Sequence, residues 1–199
     1  MRFDVLSALM LFTLVASITP GPNNLMLMAS GVNFGFRRTL PHYLGVCLGF
    51  PAMVALVGFG LDAIFSRFPG FLSMLRYVSV AYLVWLAWKI AAAGPAHEAD
   101  ATKKPLGFLG AAAFQWVNPK GWVMAVSALT SFTVAPDYAH SAAIVVAVFL
   151  AVAFPASGVW VFAGSALRPL LRDPNWVRPI NLTMAALLLA SIVPVLFEG

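Results

Sequence analysis

The sequence predicts an all-α membrane protein whose six transmembrane helices form two inverted repeats of three helices each. Three observations predict this fold: an apolar composition, six apolar segments of spanning length, and a similarity between the two halves of the chain. Hydrophobic residues make up 61% of the 199 residues and charged residues only 10%, with a mean hydropathy of +0.90. Soluble domains carry about 25% charged residues, so we expect this chain to lie in a lipid bilayer.

Six apolar segments are separated by short polar breaks. They are Val5 to Ala29, Leu40 to Leu61, Phe71 to Ala92, Leu106 to Phe132, Ala142 to Leu167 and Val177 to Phe197. About 20 helical residues cross a hydrocarbon core of about 30 Å, and backbone in lipid has to satisfy its polar groups internally. We therefore expect six helices, with a first repeat at 1–93, a cytoplasmic linker at 94–105 and a second repeat at 106–199.

The basic residues indicate the orientation of these helices. The loops after the first, third and fifth helices share one side and contain Arg37, Arg38, Lys89, Lys103, Lys104, Arg168, Arg172 and Arg178. The other side contains Arg2, Arg67 and Arg76. The positive-inside rule places the richer side in the cytoplasm and both termini outside. The net charge of +5 is thus a topology signal, and no basic face with interleaved aromatic residues indicates a nucleic-acid partner.

A proline motif interrupts the first apolar segment in its middle, at Pro20, Gly21 and Pro22. Proline lacks an N–H and its ring clashes with the preceding turn, so the helix has to break there. Val5 to Ile18 would form a helix of only about 21 Å, which is too short to cross a bilayer alone. The break is therefore expected within the membrane.

The second half of the chain repeats this motif. "TPGPN" at Thr19 corresponds to "NPKGW" at Asn118, and "GFPAMVALVGFG" from Gly49 resembles "AFPASGVWVFAG" from Ala153. With three spans in each half, the second half enters the membrane from the opposite side. Paired interruptions in inverted halves are the best sequence indication of a transporter binding site near the midplane.

The broken helices predict the chemistry of this site. A helix that restarts after a break presents unpaired N–H groups to a carboxylate, while freed carbonyl groups suit an ammonium group or a coupling cation, so together they would hold a zwitterion. The candidate substrate-binding residues are Pro20, Gly21, Pro22, Asn23, Asn24, Gln115, Asn118, Pro119 and Lys120. Lys120 is the only charged residue well inside a span, and such charges are usually functional, although it could instead extend to the headgroups. The four side-chain amides among these residues could instead serve only to form hydrogen bonds between helices.

The remaining motifs indicate packing rather than chemistry. Two GxxxG pairs, Gly31 with Gly35 and Gly45 with Gly49, predict close helix contacts. His42 and His140 lie at the edges of predicted spans, where we expect a hydrogen-bonded or solvated histidine. Neither a catalytic triad nor a metal, haem or phosphate-binding motif is present in the sequence, so we expect no enzymatic activity, cofactor or metal site.

The segment from Thr19 to Phe50 resembles the signature of the LysE/RhtB, or lysine exporter, family of amino-acid exporters. In that signature a PGP motif is followed by a GxxxG pair, basic residues and a second glycine pair. Asn118 to Trp122 resembles the second motif of the family. Carried over by position, the motif residues are Pro20, Gly21, Pro22, Asn118, Pro119 and Lys120.

This resemblance implies a secondary exporter of amino acids or related metabolites, powered by the proton gradient, in the bacterial inner membrane. It names neither the substrate nor the oligomeric state, for which a homodimer is one candidate. The alternative function is a non-transporting membrane scaffold or partner subunit, in which the breaks serve only packing. A transporter should be stabilised by its substrate and a scaffold should not.

The orientation is tested by a reporter fused to the C-terminus. We expect a reporter enzyme that works only outside the cytoplasm to be active there, because an even number of spans leaves both termini on the side with fewer basic residues. Activity of a reporter that works only in the cytoplasm would overturn this topology.

Overall fold

The computed structural model describes residues 1–60, 71–92, 104–191 and 193, and these ranges contain α-helices and short 3-10 segments but no strand. The helices are α1 (Phe3–Ile18), α2 (Pro22–Phe34), α3 (Phe36–Gly60), α4 (Phe71–Ala91), α5 (Phe108–Phe114), α6 (Pro119–Phe132), α7 (Tyr138–Leu167) and α8 (Pro174–Ala190). The all-α class that the sequence predicts is confirmed. Apart from Lys104 and Pro105, the predicted linker lies outside the described residues.

Several helices have the length and composition of membrane spans. Within the described chain, Phe36–Gly60 and Tyr138–Leu170 are long and apolar enough to cross a bilayer, and α1 with α2 forms a third candidate, bent by 52°. The prolines inside α3 and α7 do not end these helices. The chain is therefore a multi-helical membrane protein, while the six-span inverted repeat stays a prediction.

Helix α7 lies at the centre of the packing, where α1, α2 and α3 all contact it. Phe50 of α3 and Phe149 of α7 meet edge to face, with their ring centroids 5.1 Å apart. The hydroxyl of Tyr43 donates a hydrogen bond to the Phe154 carbonyl across the same interface, at 2.8 Å. These contacts fasten the first half of the chain to the second.

Glycines are found where helices approach most closely. A Cβ at Gly31 would lie 2.7 Å from the carbonyl oxygen of Val161 on α7, and a Cβ at Gly49 would lie 2.6 Å from the Cα of Ala112 on α5. Neither neighbouring atom can move easily, because both belong to helix backbones. The fold thus brings α2 against α7 and α3 against α5 through positions that lack a side chain.

Gly35 occupies the turn between α2 and α3. Its φ of +79° lies in a region that side chains disfavour, and a Cβ there would also lie 2.6 Å from Nη1 of Arg168. A glycine at this position lets the chain turn with a single residue between the end of α2 and the start of α3.

We expect the change Gly49→Ala to destabilise the protein by about 1–3 kcal/mol, since the added methyl group would force α3 away from α5. Thermal unfolding in detergent should show a melting temperature lowered by several degrees. The matched control on the same helix is Gly60→Ala, where the added Cβ would have no neighbour within 4 Å among the described residues. Equal melting temperatures for the two variants would contradict this account of the α3–α5 contact.

Candidate functional site

The first break separates α1 from α2. Helix α1 ends at Ile18, Thr19 and Gly21 have extended backbone conformations, and α2 begins at Pro22. The first position of a helix suits proline because its missing N–H would have had no partner there. The helix therefore breaks at the position that the prolines predict.

The second break has the same form. After α5 the chain runs through the 3-10 segment Gln115–Val117, and α6 begins at Pro119 with Asn118 as an extended N-cap residue. Neither Gly21 nor Asn118 provides a side-chain hydrogen bond to cap the helix that follows it. Both α2 and α6 therefore begin with uncapped N–H groups and the positive end of a helix dipole.

A pair of amides joins the two breaks. Nδ2 of Asn23 donates to Oε1 of Gln115 at 2.7 Å, and Nε2 of Gln115 donates back to Oδ1 of Asn23 at 3.2 Å. The same Gln115 nitrogen also donates to the Ala111 carbonyl at 2.8 Å. These bonds bring the interruptions of the two halves to one place in the fold.

The ammonium group of Lys120 lies on the first break. Nζ donates to the carbonyl oxygen of Thr19 at 2.9 Å, to its hydroxyl at 3.0 Å and to the carbonyl of Pro20 at 3.4 Å. A Cβ at Gly21 would lie 2.8 Å from Cδ of Lys120, so glycine makes room for the lysine. Lys120 therefore extends across to the other half of the chain rather than outward along its own helix.

Other side chains bind the remaining carbonyl groups near the end of α1. Nδ2 of Asn24 donates to the carbonyls of Ser17 at 2.7 Å and Thr19 at 2.9 Å. The indole N–H of Trp160 on α7 donates to the carbonyl of Ile18 at 3.1 Å. The carbonyl groups that we expected to be open to a substrate ammonium or a cation are thus occupied by the protein's own donors in this structure.

A small cavity, lined by both polar and apolar side chains, lies between the starts of α2 and α6. Its volume is about 50 Å³, and its lining comprises Ala16, Ser17, Gly21, Pro22, Asn23, Asn24, Val46, Phe50, Asn118, Lys120, Gly121, Met124, Ala153 and Ser157. One water molecule requires about 10–15 Å³ by this measure, so the cavity holds a few waters and has to widen for an amino acid. Oδ1 of Asn118 is buried without a partner in the described chain, so this cavity has an acceptor that is not used.

Six of the nine candidate substrate-binding residues line this cavity, and the other three, Pro20, Gln115 and Pro119, lie next to it in the chain or bond to its lining. Sequence reasoning missed the residues that α3 and α7 contribute, among them Phe50 and Ser157. The internal repeat carried a signal for them, because "GFPA" at Gly49 corresponds to "AFPA" at Ala153. Aligned segments of inverted halves are expected to lie at equivalent positions around a shared site.

A second cavity of about 540 Å³ lies between α2, α3, α4 and the segment before α5. Its lining comprises Met26, Ala29, Ser30, Asn33, Phe34, His42, Leu86, Lys89, Ile90, Ala92, Lys104, Pro105 and Leu106.

The expectation of a hydrogen-bonded or solvated histidine is wrong for His42, which is only 2% exposed and whose ring nitrogens have no partner in the described chain. Helix α3 begins at Phe36, four residues before the predicted span edge at Leu40, so His42 lies inside the helix rather than at its end. His140 is exposed, as expected.

Comparisons with known proteins identify the family of this chain. Residues 14–196 match the family model described as LysE type translocator. Cysteine/O-acetylserine efflux proteins of Escherichia coli strain K12 and of Shigella flexneri serotype 5b are each 34% identical to this chain over 197 residues, which cover 97% of this chain and 98% of the relative. No solved structure matches the chain. Because the family match extends over nearly the whole sequence and includes both helix breaks, the chain belongs to the LysE type translocator family.

Proposed function

We propose that this protein is a secondary active exporter that moves amino acids with small, uncharged side chains across the bacterial inner membrane. The relatives at 34% identity are named for the efflux of cysteine and O-acetylserine, which are both amino acids of this class. The observation that supports the proposal is the contact between Lys120 of the second break and the carbonyl groups of the first, beside a cavity that residues of both breaks line.

The cavity and the first break beside it offer complementary groups to both charges of a zwitterion. The N-termini of α2 and α6 both border it, and their uncapped N–H groups attract a carboxylate. The carbonyls of Thr19 and Pro20 attract an ammonium group, and Lys120 now occupies them. In the proposed cycle the substrate ammonium competes with Lys120 for these oxygens, and the displaced lysine then pairs with the substrate carboxylate.

Alternating access follows from the proposed six-span arrangement of two inverted halves, each with one broken helix. The larger cavity contains Lys89 and Lys104, which belong to the side that the positive-inside rule assigns to the cytoplasm. In this proposal the structure corresponds to a state with a wide cavity on the cytoplasmic side and a contracted site at the breaks. Exchange of conformations between the halves would then open the site to the outside.

We expect the change Lys120→Ala to reduce export by about tenfold or more, since charge-assisted hydrogen bonds contribute about 1.5–3 kcal/mol each. The measurement is efflux of labelled O-acetylserine from proteoliposomes loaded with it. The matched control is Thr130→Ala on the same helix, whose exposed hydroxyl bonds only to carbonyls of α6. Unchanged efflux in Lys120→Ala would count against the assigned site.

Ligand stabilisation separates an exporter from a scaffold. O-acetylserine at about 100 times its dissociation constant should stabilise the detergent-solubilised protein by about 2.7 kcal/mol, seen as a raised melting temperature. The matched control ligand is its isomer N-acetylserine, which keeps the carboxylate but lacks the ammonium group. A scaffold predicts no effect of either compound, and equal stabilisation by both would exclude recognition of the ammonium group.

A further inference from the structure

His42 is a buried ionisable residue, and no hydrogen bond to its ring in the described chain explains why it is buried. Its side chain is 2% exposed, and both Nδ1 and Nε2 are buried without a hydrogen-bond partner in the described chain. A buried polar group without a hydrogen-bond partner destabilises the folded state. Ionisable residues inside membrane helices are rare and usually functional, so His42 calls for a role other than packing.

The position of His42 connects the two cavities. It lines the large cavity, whereas Val46 and Phe50, one and two turns further along α3, line the small cavity at the breaks. Residues spaced by four lie on one face of a helix, at about 6 Å of rise each. On α2, Met26 of the large cavity follows Pro22 of the small cavity by one turn. His42 thus lies between the site at the breaks and the side that we propose to be cytoplasmic.

The other groups around His42 cannot substitute for it as proton acceptors. The charged residues that share its cavity are Lys89 of α4 and Lys104 of the segment before α5, and ammonium groups only donate. Helix α2 contributes only the neutral side chains of Ser30 and Asn33 to the polar lining. On α3 itself, Arg38 lies one turn earlier with its guanidinium over the Phe34 ring.

Acidic residues are absent from the helix interiors of the described chain. Those that it contains are Asp4, in the first turn of α1, Asp137, which precedes α7, and Asp173, which caps α8. Proton relays in transporters usually depend on carboxylates or histidines. Within the described residues, His42 is therefore the buried side chain of this kind, and its imidazole can both accept and release a proton.

We propose that His42 is the binding site of the coupling proton. The proposal rests on the exporter function proposed above. A proton that enters from outside binds to a ring nitrogen of the neutral imidazole while the site at the breaks is open outward. The same proton leaves to the cytoplasm through the large cavity when the protein returns, so one proton moves inward for each transport cycle and no bond other than N–H forms or breaks.

The test compares two transport modes in proteoliposomes that contain the full chain. Exchange of internal labelled O-acetylserine for external unlabelled O-acetylserine, at equal pH on both sides, requires no net proton movement. Net transport driven by a pH gradient does require net proton movement. We expect His42→Asn to retain exchange and to lose both the acceleration by the gradient and the substrate-dependent proton flux, which a pH-sensitive dye trapped inside the vesicles reports.

Control variants distinguish binding of the coupling proton by His42 from a purely structural role of this residue. The exposed histidine of α7 provides the matched variant His140→Asn, which should keep both transport modes. His42→Gln serves as a second variant, and melting temperatures in detergent show whether either replacement folds. Loss of exchange in folded His42→Asn and His42→Gln would overturn the proposal, as would a gradient response equal to that of the native protein. If the native protein itself showed no exchange, the exporter function would fail and this assignment with it.

Discussion

A carbonyl group that is freed from a helix inside a bilayer has to find a hydrogen-bond donor within the protein, and this requirement organises the structure. Pro20 and Pro22 end α1 and begin α2, which leaves the last carbonyls of α1 without helical partners. In lipid no water supplies the missing donors. Asn24 and Trp160 supply them instead, and Lys120 donates to the carbonyls of the break itself. Two of these three donors lie in the second half of the chain.

Each break therefore depends on the opposite half of the molecule. Gln115, beside the second break, pairs with Asn23 beside the first, and Lys120 crosses to Thr19. Bonds of this kind hold the halves in one arrangement, but they are made by side chains that can exchange partners. A substrate ammonium group offers the same donors as Lys120, so displacing the lysine would loosen the contact between the halves at the moment of binding. The proposed site and the proposed movement thus involve the same hydrogen bonds.

Helices also pack closely at positions away from the breaks. Gly31 and Gly49 allow helix backbones to approach without intervening side chains. Well-packed interfaces deform little and tend to move as units. Helices α2 and α3 nevertheless line both cavities, and His42 lies on the face of α3 that runs from one cavity to the other.

The sequence by itself determined the all-α class and the place where each broken helix is interrupted. These features follow from local physics: an apolar run of spanning length has to be helical in lipid, and proline removes a donor from its own turn. Only the tertiary structure decided that Lys120 binds the carbonyls of Thr19, that Phe50 and Ser157 line the cavity, and that His42 is buried without a partner. Such contacts join residues about 100 positions apart in the chain, so they depend on how whole helices pack, and no local pattern encodes that.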